Sequence, residues 1–208
     1  NIHQIFSYLD NIGINYHMMI NESVHSYADQ YFEIEPVTKS YYGIPMLSFR
    51  AVPASYIKLY IKNGIEKVFA LFLLLFSLPI LLLFGVMIKC TSKGPLLFKQ
   101  ERVGLHGRKF LQYKLRSMVS NAEKLKQDYM HLNEQSGPVF KIKADPRLTE
   151  IGKFIRKFSI DELPQLFNVL LGSMTLIGPR PPVPSEVKCY KDKYLRRLSM
   201  KPGITGLW

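Results

Sequence analysis

The chain has 208 residues and a formal net charge of +12, which allows one domain with a core plus a smaller piece. Residues 1–88 contain 5 Lys/Arg and 6 Asp/Glu, whereas residues 89–208 contain 23 Lys/Arg and 10 Asp/Glu, so the C-terminal half requires an anionic partner such as nucleic acid, anionic lipid or a phosphorylated substrate. The two distant cysteines exclude a disulfide framework, and the five histidines show no metal-ligand spacing.

The first 50 residues alternate short apolar runs with turns, and the runs at 14–20 and 44–49 are predicted strands. This pattern is typical of the tail of a small α/β domain. The region has no glycine-rich phosphate loop, so nucleotide binding there has no support. Residues 51–62 are a predicted linker, and residues 63–208 form the predicted second, membrane-anchored domain.

Residues 68–88 form an uncharged run of 21 residues, long enough to span a bilayer as a helix. A buried core helix is the alternative, but the run is apolar all round and has no polar stripe. Pro79 lies near its middle, with Ser77 two residues before it, and a proline removes a backbone donor and bends a helix. We therefore predict a break of the membrane helix at Ser77 and Pro79.

Both flanks of this run are basic, with lysines at 58, 62 and 67 before it and at 89 and 93 after it. Positive residues prefer the cytoplasmic side of a membrane. Flanks of the same sign therefore favour a re-entrant helix, covering about residues 67–89, over a straight span. Such a helix enters the bilayer, turns at Ser77–Pro79 and returns to the same face.

After the membrane segment, residues 95–118 predict a β-hairpin, because Gly104 and Gly107 bracket a tight turn between two apolar–polar runs. A helix is predicted over residues 120–132, with Ser120 as its N-cap.

Thr149 can cap a further helix that begins at residue 150. Its apolar residues recur at helical spacing opposite a basic face, which suits either a helix on an anionic membrane surface or an ordinary amphipathic core helix. Another helix is expected over 163–170, ended by Gly172, while four prolines exclude helix in 177–184. The predicted fold is α+β and mostly helical: a re-entrant membrane helix, a small hairpin and amphipathic interfacial helices, preceded by the remnant of an α/β domain.

Asp161 and Glu162 stand side by side in "FSIDELPQLF". Ser159 and Glu162 match a capping box, but a helix that begins at Asp161–Leu163 places Pro164 in the first turn, where no donor is needed. The acids could simply be caps at the positive end of that helix. In a basic, membrane-bound setting they could instead serve phosphoryl transfer, with Asp161 as nucleophile and Glu162 helping to hold Mg²⁺.

Arg180 stands between Pro179 and Pro181. A guanidinium on such a stiff loop suits bidentate contact with a phosphate. A structural arginine that closes the loop is an equally good interpretation of the same pattern.

Several ordered motifs, "LLFKQERVG", "KLRSM", "DPRLTEIGKFIRKFSIDELPQLFNVLLGSMTLIGPRP" and "KPGITGLW", resemble the bacterial sugar transferase family over about residues 58–208. These enzymes are polyprenyl-phosphate hexose-1-phosphate transferases, also called monotopic phosphoglycosyl transferases. The resemblance implies transfer of a sugar 1-phosphate from a UDP-sugar to polyprenyl (undecaprenyl) phosphate, with UMP released, at the start of an exopolysaccharide, capsule or O-antigen repeat. It also implies that residues 1–50 are the C-terminal part of a Rossmann-like domain in a fragment of a larger member.

The resemblance assigns roles to individual residues. Asp161 becomes the nucleophile of a covalent phosphosugar intermediate, with Glu162 as its companion, and both would hold Mg²⁺. The substrate- or phosphate-binding residues it implies are Arg116, Arg147, Arg180 and Gln165. The enzyme is expected in the inner (cytoplasmic) membrane of a bacterium, embedded in the inner leaflet with its catalytic part on the cytoplasmic face.

Three departures from the family pattern bear on these roles. Glu66 stands where an Asp is usual, Ser173 stands where an acidic residue is usual, and the family continues past the Gly-Leu-Trp end with a Gln and a Gly-Arg turn. The sugar itself stays open between glucose, galactose and an N-acetylhexosamine. A non-catalytic, membrane-anchored basic module that binds anionic lipid is the alternative class. Nucleic acid is disfavoured, because the basic residues interleave with aliphatic runs and form no recognisable nucleic-acid fold.

Overall fold

The computed structural model describes residues 5, 8–9, 12–19, 37–49, 56–122, 125, 128–129, 142, 145–190 and 192–206. Helices and strands are mixed along the chain, which confirms the predicted α+β class. The strands are β1 Tyr16–Met19, β2 Val37–Tyr41, β3 Ile44–Phe49, β4 Leu97–Val103, β5 Lys109–Leu115, β6 Thr175–Ile177 and β7 Gly203–Thr205. The helices are α1 Tyr56–Thr91, α2 Glu150–Lys157, α3 Gln165–Leu170, α4 Pro184–Val187 and α5 Asp192–Leu195.

The N-terminal strands form an antiparallel sheet in the order β1-β3-β2. The turn between β2 and β3 contains Tyr42 and Gly43, both at positive φ, as the tightest hairpin turns require. Both predicted strands of this region are therefore present as β1 and β3. Its assignment to a Rossmann-like domain stays a prediction.

Helix α1 is longer than the predicted segment 67–89, because it begins at Tyr56 and runs for 36 residues. The prediction followed the uncharged run alone. The preceding residues continue the helix, and Lys62 and Glu66 stabilise it with an ion pair of 2.8 Å one turn apart. Residues 56–62, assigned to a linker, are thus helical.

The apolar part of α1 is mostly exposed. By length and composition the helix could cross a membrane, and only 22 % of its most apolar window is buried. A core helix of a soluble protein would be mostly buried, so this exposure argues against that alternative. The helix is continuous through Pro79, and the Ser77 hydroxyl donates to the Leu74 carbonyl within the helix. The predicted re-entrant turn stays a prediction.

Strands β4 and β5 form the predicted hairpin, with Gln100 opposite Gln112 and Phe98 opposite Lys114. The tight turn places His106 and Gly107 at positive φ. Because opposite residues share a face and faces alternate along a strand, the even-numbered residues of both strands face the same side.

The helix predicted after Thr149 is α2. The Thr149 hydroxyl caps it by accepting from the Gly152 N–H at 2.9 Å. The helix predicted over 120–132 lies largely outside the described residues.

Helix α1 packs against the C-terminal half along two stretches. Near its N-terminal part, Ala70 and Leu74 join a buried cluster with α3, completed by Leu166, Val169 and Met174. Near its C-terminal part, Ile88 packs in a second cluster with Leu115 and Ile155. These two clusters fix the positions of β5, α2 and α3, which carry the site described below.

The "PGITG" turn, residues 202–206, contacts the proline-rich loop, residues 177–184. Strands β6 and β7 pair in parallel, and Gly203 donates its N–H to the Pro179 carbonyl at 2.9 Å. A Cβ built on Gly203 would lie 2.7 Å from the Gly178 Cα, so only glycine allows this close approach of two backbones. The loop that carries Arg180 is thereby held in place.

Candidate active site

The two predicted catalytic acids lie in a 3₁₀ turn, Ile160–Glu162, between α2 and α3. Helix α3 begins at Gln165 with Pro164 as its N-cap, which is later than predicted. Because Pro164 has no N–H to donate, the chain before it closes i→i+3 hydrogen bonds instead. Ser159 makes no capping hydrogen bond, so the capping-box alternative is wrong.

Asp161 is buried, with 5 % of its surface exposed. Burial raises the pKa of its carboxyl above the ordinary value, and the nearby charge of Glu162 adds to this. The cations of Lys114 and Arg156 act in the opposite direction and lower the pKa. Asp161 is therefore a poorly solvated carboxyl group whose ionised form is favoured by Lys114 and Arg156.

Glu162 faces a polar cavity of about 100 Å³. Its Oε1 accepts from the Lys114 ammonium at 2.6 Å, which ties the acid turn to β5. The cavity is lined by Arg102, Gln112, Lys114, Glu162, Gln165, Arg180, Pro181, Gly203 and Ile204. Three cationic side chains against one carboxylate make this wall net positive, as an anionic ligand requires.

Arg102 is a buried member of this wall. One terminal nitrogen donates to the Pro181 carbonyl at 3.0 Å and the other to Gln100 Oε1 at 2.7 Å, while its buried Nε has no partner. Burial and the charge of Arg180 lower the pKa of Arg102 to about 10. Since this value lies above neutral pH, the guanidinium stays charged.

Arg180 lies at the cavity, as its place on the proline loop predicted. Its guanidinium pairs with Glu186 at 3.3 Å, and Glu186 also accepts from the Val183 N–H. Glu186 is buried, so it holds Arg180 in position while neutralising part of its charge. Both interpretations of Arg180 therefore have support: it closes its loop and it faces the cavity.

Gln165 also lines the cavity, where its Oε1 accepts from Gln112 Nε2 at 3.1 Å. One turn further along α3, the buried Asn168 accepts from the Tyr113 N–H at 3.1 Å and donates to the Leu111 carbonyl at 2.7 Å. Asn168 thus fixes α3 on the edge of β5, and this register places Gln165 opposite Gln112.

Arg116 follows β5 and ties it to the end of α1. One of its terminal nitrogens donates to the Ser92 carbonyl and hydroxyl, both at 2.7 Å, while Nε and the other terminal nitrogen are buried without partners. Arg116 lines a second, basic cleft of about 250 Å³ together with Arg102, Lys114 and Arg156. The cleft and the cavity share Arg102 and Lys114, so the two spaces are neighbours.

Arg147 lines neither space. Its guanidinium donates to both carboxylate oxygens of Asp145, at 2.8 and 2.6 Å, and to the Ala122 carbonyl at 3.2 Å. The pair is buried, so Arg147 organises the segment before α2. A phosphate contact by Arg147 stays a prediction.

The other residues singled out from the sequence lie outside both spaces. Glu66 pairs with Lys62 and accepts from the Thr175 hydroxyl, which joins α1 to β6. Ser173 exchanges hydrogen bonds with Asn168 after α3, so it has a structural role at that position. Ser77 and Pro79 lie within α1.

The family model for bacterial sugar transferases matches residues 57–208. The chain belongs to the bacterial sugar transferase family. The match covers the membrane helix, the hairpin, the acid turn and the cavity, and it agrees with the extent of the resemblance found in the motifs.

Curated relatives are similar to this chain over part of its length. It is 56% identical over 115 residues, 55% of its length, to the galactosyl transferase CpsE of Streptococcus agalactiae serotype III, of which it covers 26%. It is 40% identical over 157 residues to the undecaprenyl-phosphate galactose phosphotransferase of Salmonella typhimurium, covering 72% of this chain and 32% of that protein. It is 48% identical over 145 residues to a putative undecaprenyl-phosphate N-acetylgalactosaminyl 1-phosphate transferase of Bacillus subtilis. That match covers 70% of this chain and 71% of the Bacillus protein. The chain thus spans between a quarter and a third of the first two relatives.

The acid turn fits a magnesium ion by its donor chemistry. Among the described residues no group of three or more His, Cys, Asp and Glu side chains could hold a metal. Mg²⁺ often uses only one or two protein carboxylates and takes its other ligands from phosphates and water. Asp161 and Glu162 supply two adjacent carboxylates whose mutual repulsion raises the pKa of Asp161, a repulsion that a divalent cation would relieve.

Sequence reasoning missed three polar residues of the cavity: Arg102, Gln112 and Lys114. They belong to no short motif with a known chemistry. A partial signal was present in β5, where Gln112 and Lys114 alternate with apolar or aromatic residues and so share one face. Strand β4 gave no such signal, because four polar residues follow one another at 99–102.

Proposed function

We propose that this chain is the catalytic part of a phosphoglycosyl transferase that moves a sugar 1-phosphate from a UDP-sugar to polyprenyl (undecaprenyl) phosphate and releases UMP. The observation that carries this proposal is the buried Asp161 beside Glu162, within the influence of Lys114 and Arg156, next to a cationic cavity. The names of the relatives, which are undecaprenyl-phosphate sugar phosphotransferases, support the same reaction class. The product would begin an exopolysaccharide, capsule or O-antigen repeat.

Asp161 acts as the nucleophile in this proposal. A carboxylate oxygen attacks the phosphorus that bears the sugar, a new O–P bond forms, and the bond to the UMP oxygen breaks, so UMP leaves with that electron pair. An oxygen of polyprenyl phosphate then attacks the same phosphorus and releases the Asp161 carboxylate. Poor solvation of Asp161 favours attack, since little water must be removed from the carboxylate first.

The cations around the acids bind the diphosphate. Arg102, Lys114 and Arg180 line the cavity, and a guanidinium offers phosphate two parallel donors while the ammonium acts as a point charge. Mg²⁺ held by Asp161 and Glu162 would neutralise further charge on the transferred phosphoryl group. Glu162 also keeps Lys114 aimed at the site through their ion pair.

An apolar groove of about 370 Å³ suits the tail of the acceptor. It lies between α1, the hairpin and α3 and is lined by Leu78, Leu81, Leu82, Leu96, Leu97, Tyr113, Leu115, Pro164, Phe167 and Leu171. Leu97 and Leu115 also border the basic cleft. An apolar groove beside a basic cleft matches the chemistry of a long isoprenoid chain that ends in a phosphate.

The re-entrant arrangement of α1 has support from contacts at both of its ends. Near the N-terminal end, the Lys62 ammonium donates to the Thr175 hydroxyl at 2.8 Å. Near the C-terminal end, Ser92 accepts from Arg116 at 2.7 Å. Thr175 and Arg116 belong to one globular part, so both ends of α1 lie on the same side of the membrane in this proposal, on the cytoplasmic face of the inner membrane.

The interfacial placement of α2 also has support. Phe154 and Phe158 are half exposed, and Phe154 stacks on Phe84 of the apolar helix at 5.7 Å between ring centroids. Ile155, on the opposite side, is fully buried. Exposed aromatics beside a membrane helix suit a helix whose outer face contacts lipid, while its inner face remains part of the core.

The sugar stays open within this proposal. Relatives are named for galactose, glucose and N-acetylgalactosamine transfer, with identities of 40%, 37% and 41% over comparable lengths. Relatives at 56% and 48% identity are named for galactosyl and N-acetylgalactosaminyl transfer respectively, so identity does not single out one sugar.

A UMP-release assay tests the proposal. The full-length protein in membranes is given Mg²⁺, polyprenyl phosphate and each member of a panel of UDP-sugars. We expect UMP release with one or a few sugars, abolished when either Mg²⁺ or polyprenyl phosphate is omitted from multiple-turnover reactions. Salt-dependent binding to anionic vesicles without UMP release from any sugar would favour the basic-module alternative.

A further inference from the structure

Two glutamine side chains in the cavity have polar groups without partners. Gln112 and Gln165 are 4 % and 2 % exposed, and they share one hydrogen bond of 3.1 Å. The remaining acceptor, Gln112 Oε1, and a remaining donor, Gln165 Nε2, are buried without partners, as is Arg102 Nε. A buried polar group without a partner is costly, so three of them around one cavity indicate a polar ligand.

Whichever way the amides are oriented, one glutamine presents an amide nitrogen without a partner and the other presents a carbonyl oxygen without a partner. Amide oxygen and nitrogen are assigned from the hydrogen-bond network. If both amides turn over, the bond between them reverses, and Gln112 then presents the donor while Gln165 presents the acceptor. The complementary ligand group must therefore accept and donate at once.

A hydroxyl group meets this requirement, because it has one O–H donor and two acceptor lone pairs. A phosphate at neutral pH does not, since it offers mainly acceptors. The cavity of about 100 Å³ has room for about three water molecules, which is enough for part of a sugar ring and its hydroxyls but small for a larger group.

The position of the pair fixes which part of the substrate it meets. The same cavity is bordered by Glu162 and by the cations of Lys114 and Arg180. A diphosphate held by those cations carries a carbohydrate ring on each side, one the transferred sugar and the other the ribose. Either ring would place a hydroxyl within reach of the cavity.

We propose that Gln112 and Gln165 read a single carbohydrate hydroxyl of the nucleotide-sugar donor and thereby contribute to donor selection. This inference rests on the proposed function for the class of donor. It goes beyond that function by naming two specificity-determining residues and the group that they recognise.

The test is a binding cycle on the full-length protein. Dissociation constants are measured by calorimetry without Mg²⁺, so that the donor binds but does not react. The ligands are the preferred UDP-sugar and analogues that lack one hydroxyl each, on the hexose or on the ribose. The variant is Gln112→Met, which keeps the length of the side chain and removes its polar atoms. Leu111→Met, at an exposed position on the opposite face of β5, is the matched control because it introduces the same side chain.

Removing the recognised hydroxyl should weaken binding to the wild type by about three- to tenfold. Gln112→Met should weaken binding of the parent donor by a similar factor and leave binding of that one analogue unchanged. The substitution and the missing hydroxyl are coupled when their effects on the dissociation constant do not add. Coupling of Gln112→Met to a hexose hydroxyl assigns the pair to the transferred sugar, and coupling to a ribose hydroxyl assigns it to the nucleotide. Both results support the proposal. Leu111→Met should lower affinity for no donor.

Independent, additive losses for every hydroxyl would overturn the proposal, because a misfolded or merely loosened site weakens all donors alike. Coupling to N3-methylation of the uracil in place of any hydroxyl would overturn it as well. UMP release is recorded in parallel. Donor binding with the predicted coupling but without UMP release would refute the proposed reaction and leave the glutamine assignment standing.

Discussion

The surroundings of Asp161 have a consequence for stability as well as for chemistry. Burial raises the pKa of this carboxyl, so ionising it costs the folded protein more than the unfolded chain. The cost is absent below the ordinary pKa of an aspartate, about 4, and grows as the pH rises through the raised value. Burial of this carboxyl therefore lowers stability at neutral pH.

Asp161→Asn should accordingly unfold at a higher temperature than the wild type at pH 7. The difference should shrink as the pH falls towards 4, where the wild-type carboxyl gains its proton. Thermal unfolding of both proteins in detergent across this pH range measures the effect. A variant that is less stable at neutral pH would contradict the description of Asp161 as a carboxylate that burial destabilises.

Arg102 provides a second test at the scale of single residues. Arg102→Lys keeps the positive charge but cannot bond Pro181 and Gln100 together while facing the cavity. We expect kcat/KM for the UDP-sugar to fall by about ten- to hundredfold. Arg108→Lys, an exposed change on the hairpin turn, is the control and should have no effect. Equal activity of the two variants would show that Arg102 does not contact the donor.

At the scale of elements, the close contact between Gly178, in the proline-rich loop, and Gly203, at the start of β7, fixes the position of Arg180. A methyl group at Gly203 would overlap the backbone of Gly178. Gly203→Ala should therefore lower the free energy of unfolding by about 1–3 kcal/mol and reduce activity. Chemical denaturation measures the first effect and UMP release the second.

Gly64→Ala is the matched control for that change. Gly64 lies in α1, and a Cβ there meets nothing within 4 Å. Because alanine favours helix, this substitution should leave stability unchanged or raise it by up to about 1 kcal/mol. Similar losses in both variants would mean that the close approach of Gly178 and Gly203 is not needed.

Local signals predicted the elements better than they predicted the cavity. Thr149 at the start of α2 and the glycines of the hairpin turn act through neighbours a few residues away, so their effects can be seen in the sequence. The start of α3 was predicted too early, because Pro164 imposes a 3₁₀ turn on the residues before it. The cavity joins side chains from β4, β5, the acid turn and the proline loop. The position of α3 against β5 depends on the hydrogen bonds of Asn168, which no local sequence pattern shows.

At the scale of the whole molecule, α1 is the element that decides topology. At 1.5 Å per residue its 36 residues would extend about 54 Å if straight, well beyond the roughly 30 Å of a hydrocarbon core. Both ends nevertheless contact the same globular part, through Thr175 and Arg116. The proposed re-entrant helix would account for both facts, because its two ends would lie on one side of the membrane.

Thiol labelling tests this topology. Cys90, near the C-terminal end of α1, and Cys189, in the globular part, are both exposed. Gly64→Cys adds a reporter before the apolar run. In sealed vesicles of each orientation, an impermeant reagent should label all three positions from the cytoplasmic face. Labelling of Gly64→Cys from the opposite face to Cys90 would establish a straight span.

The segment just before β1 packs against the hairpin and the C-terminal part of the chain. Ile12 is buried with Val103, Leu195 and Leu198, and its carbonyl lies 3.0 Å from His106 Nδ1 at the tip of the hairpin. Val103 follows Arg102 directly, so this contact supports the strand that carries a cavity residue. Experiments on activity should therefore keep the N-terminal region in place.

The most direct test is the stoichiometry of UMP release without an acceptor. When the full-length protein is mixed with its UDP-sugar and Mg²⁺ in the absence of polyprenyl phosphate, we expect a burst of about one UMP per active site. Mass spectrometry should find the sugar phosphate on the peptide containing Asp161, and Asp161→Asn should give neither burst nor adduct. A wild-type protein that releases UMP only when polyprenyl phosphate is present, with no adduct on Asp161, would contradict the account.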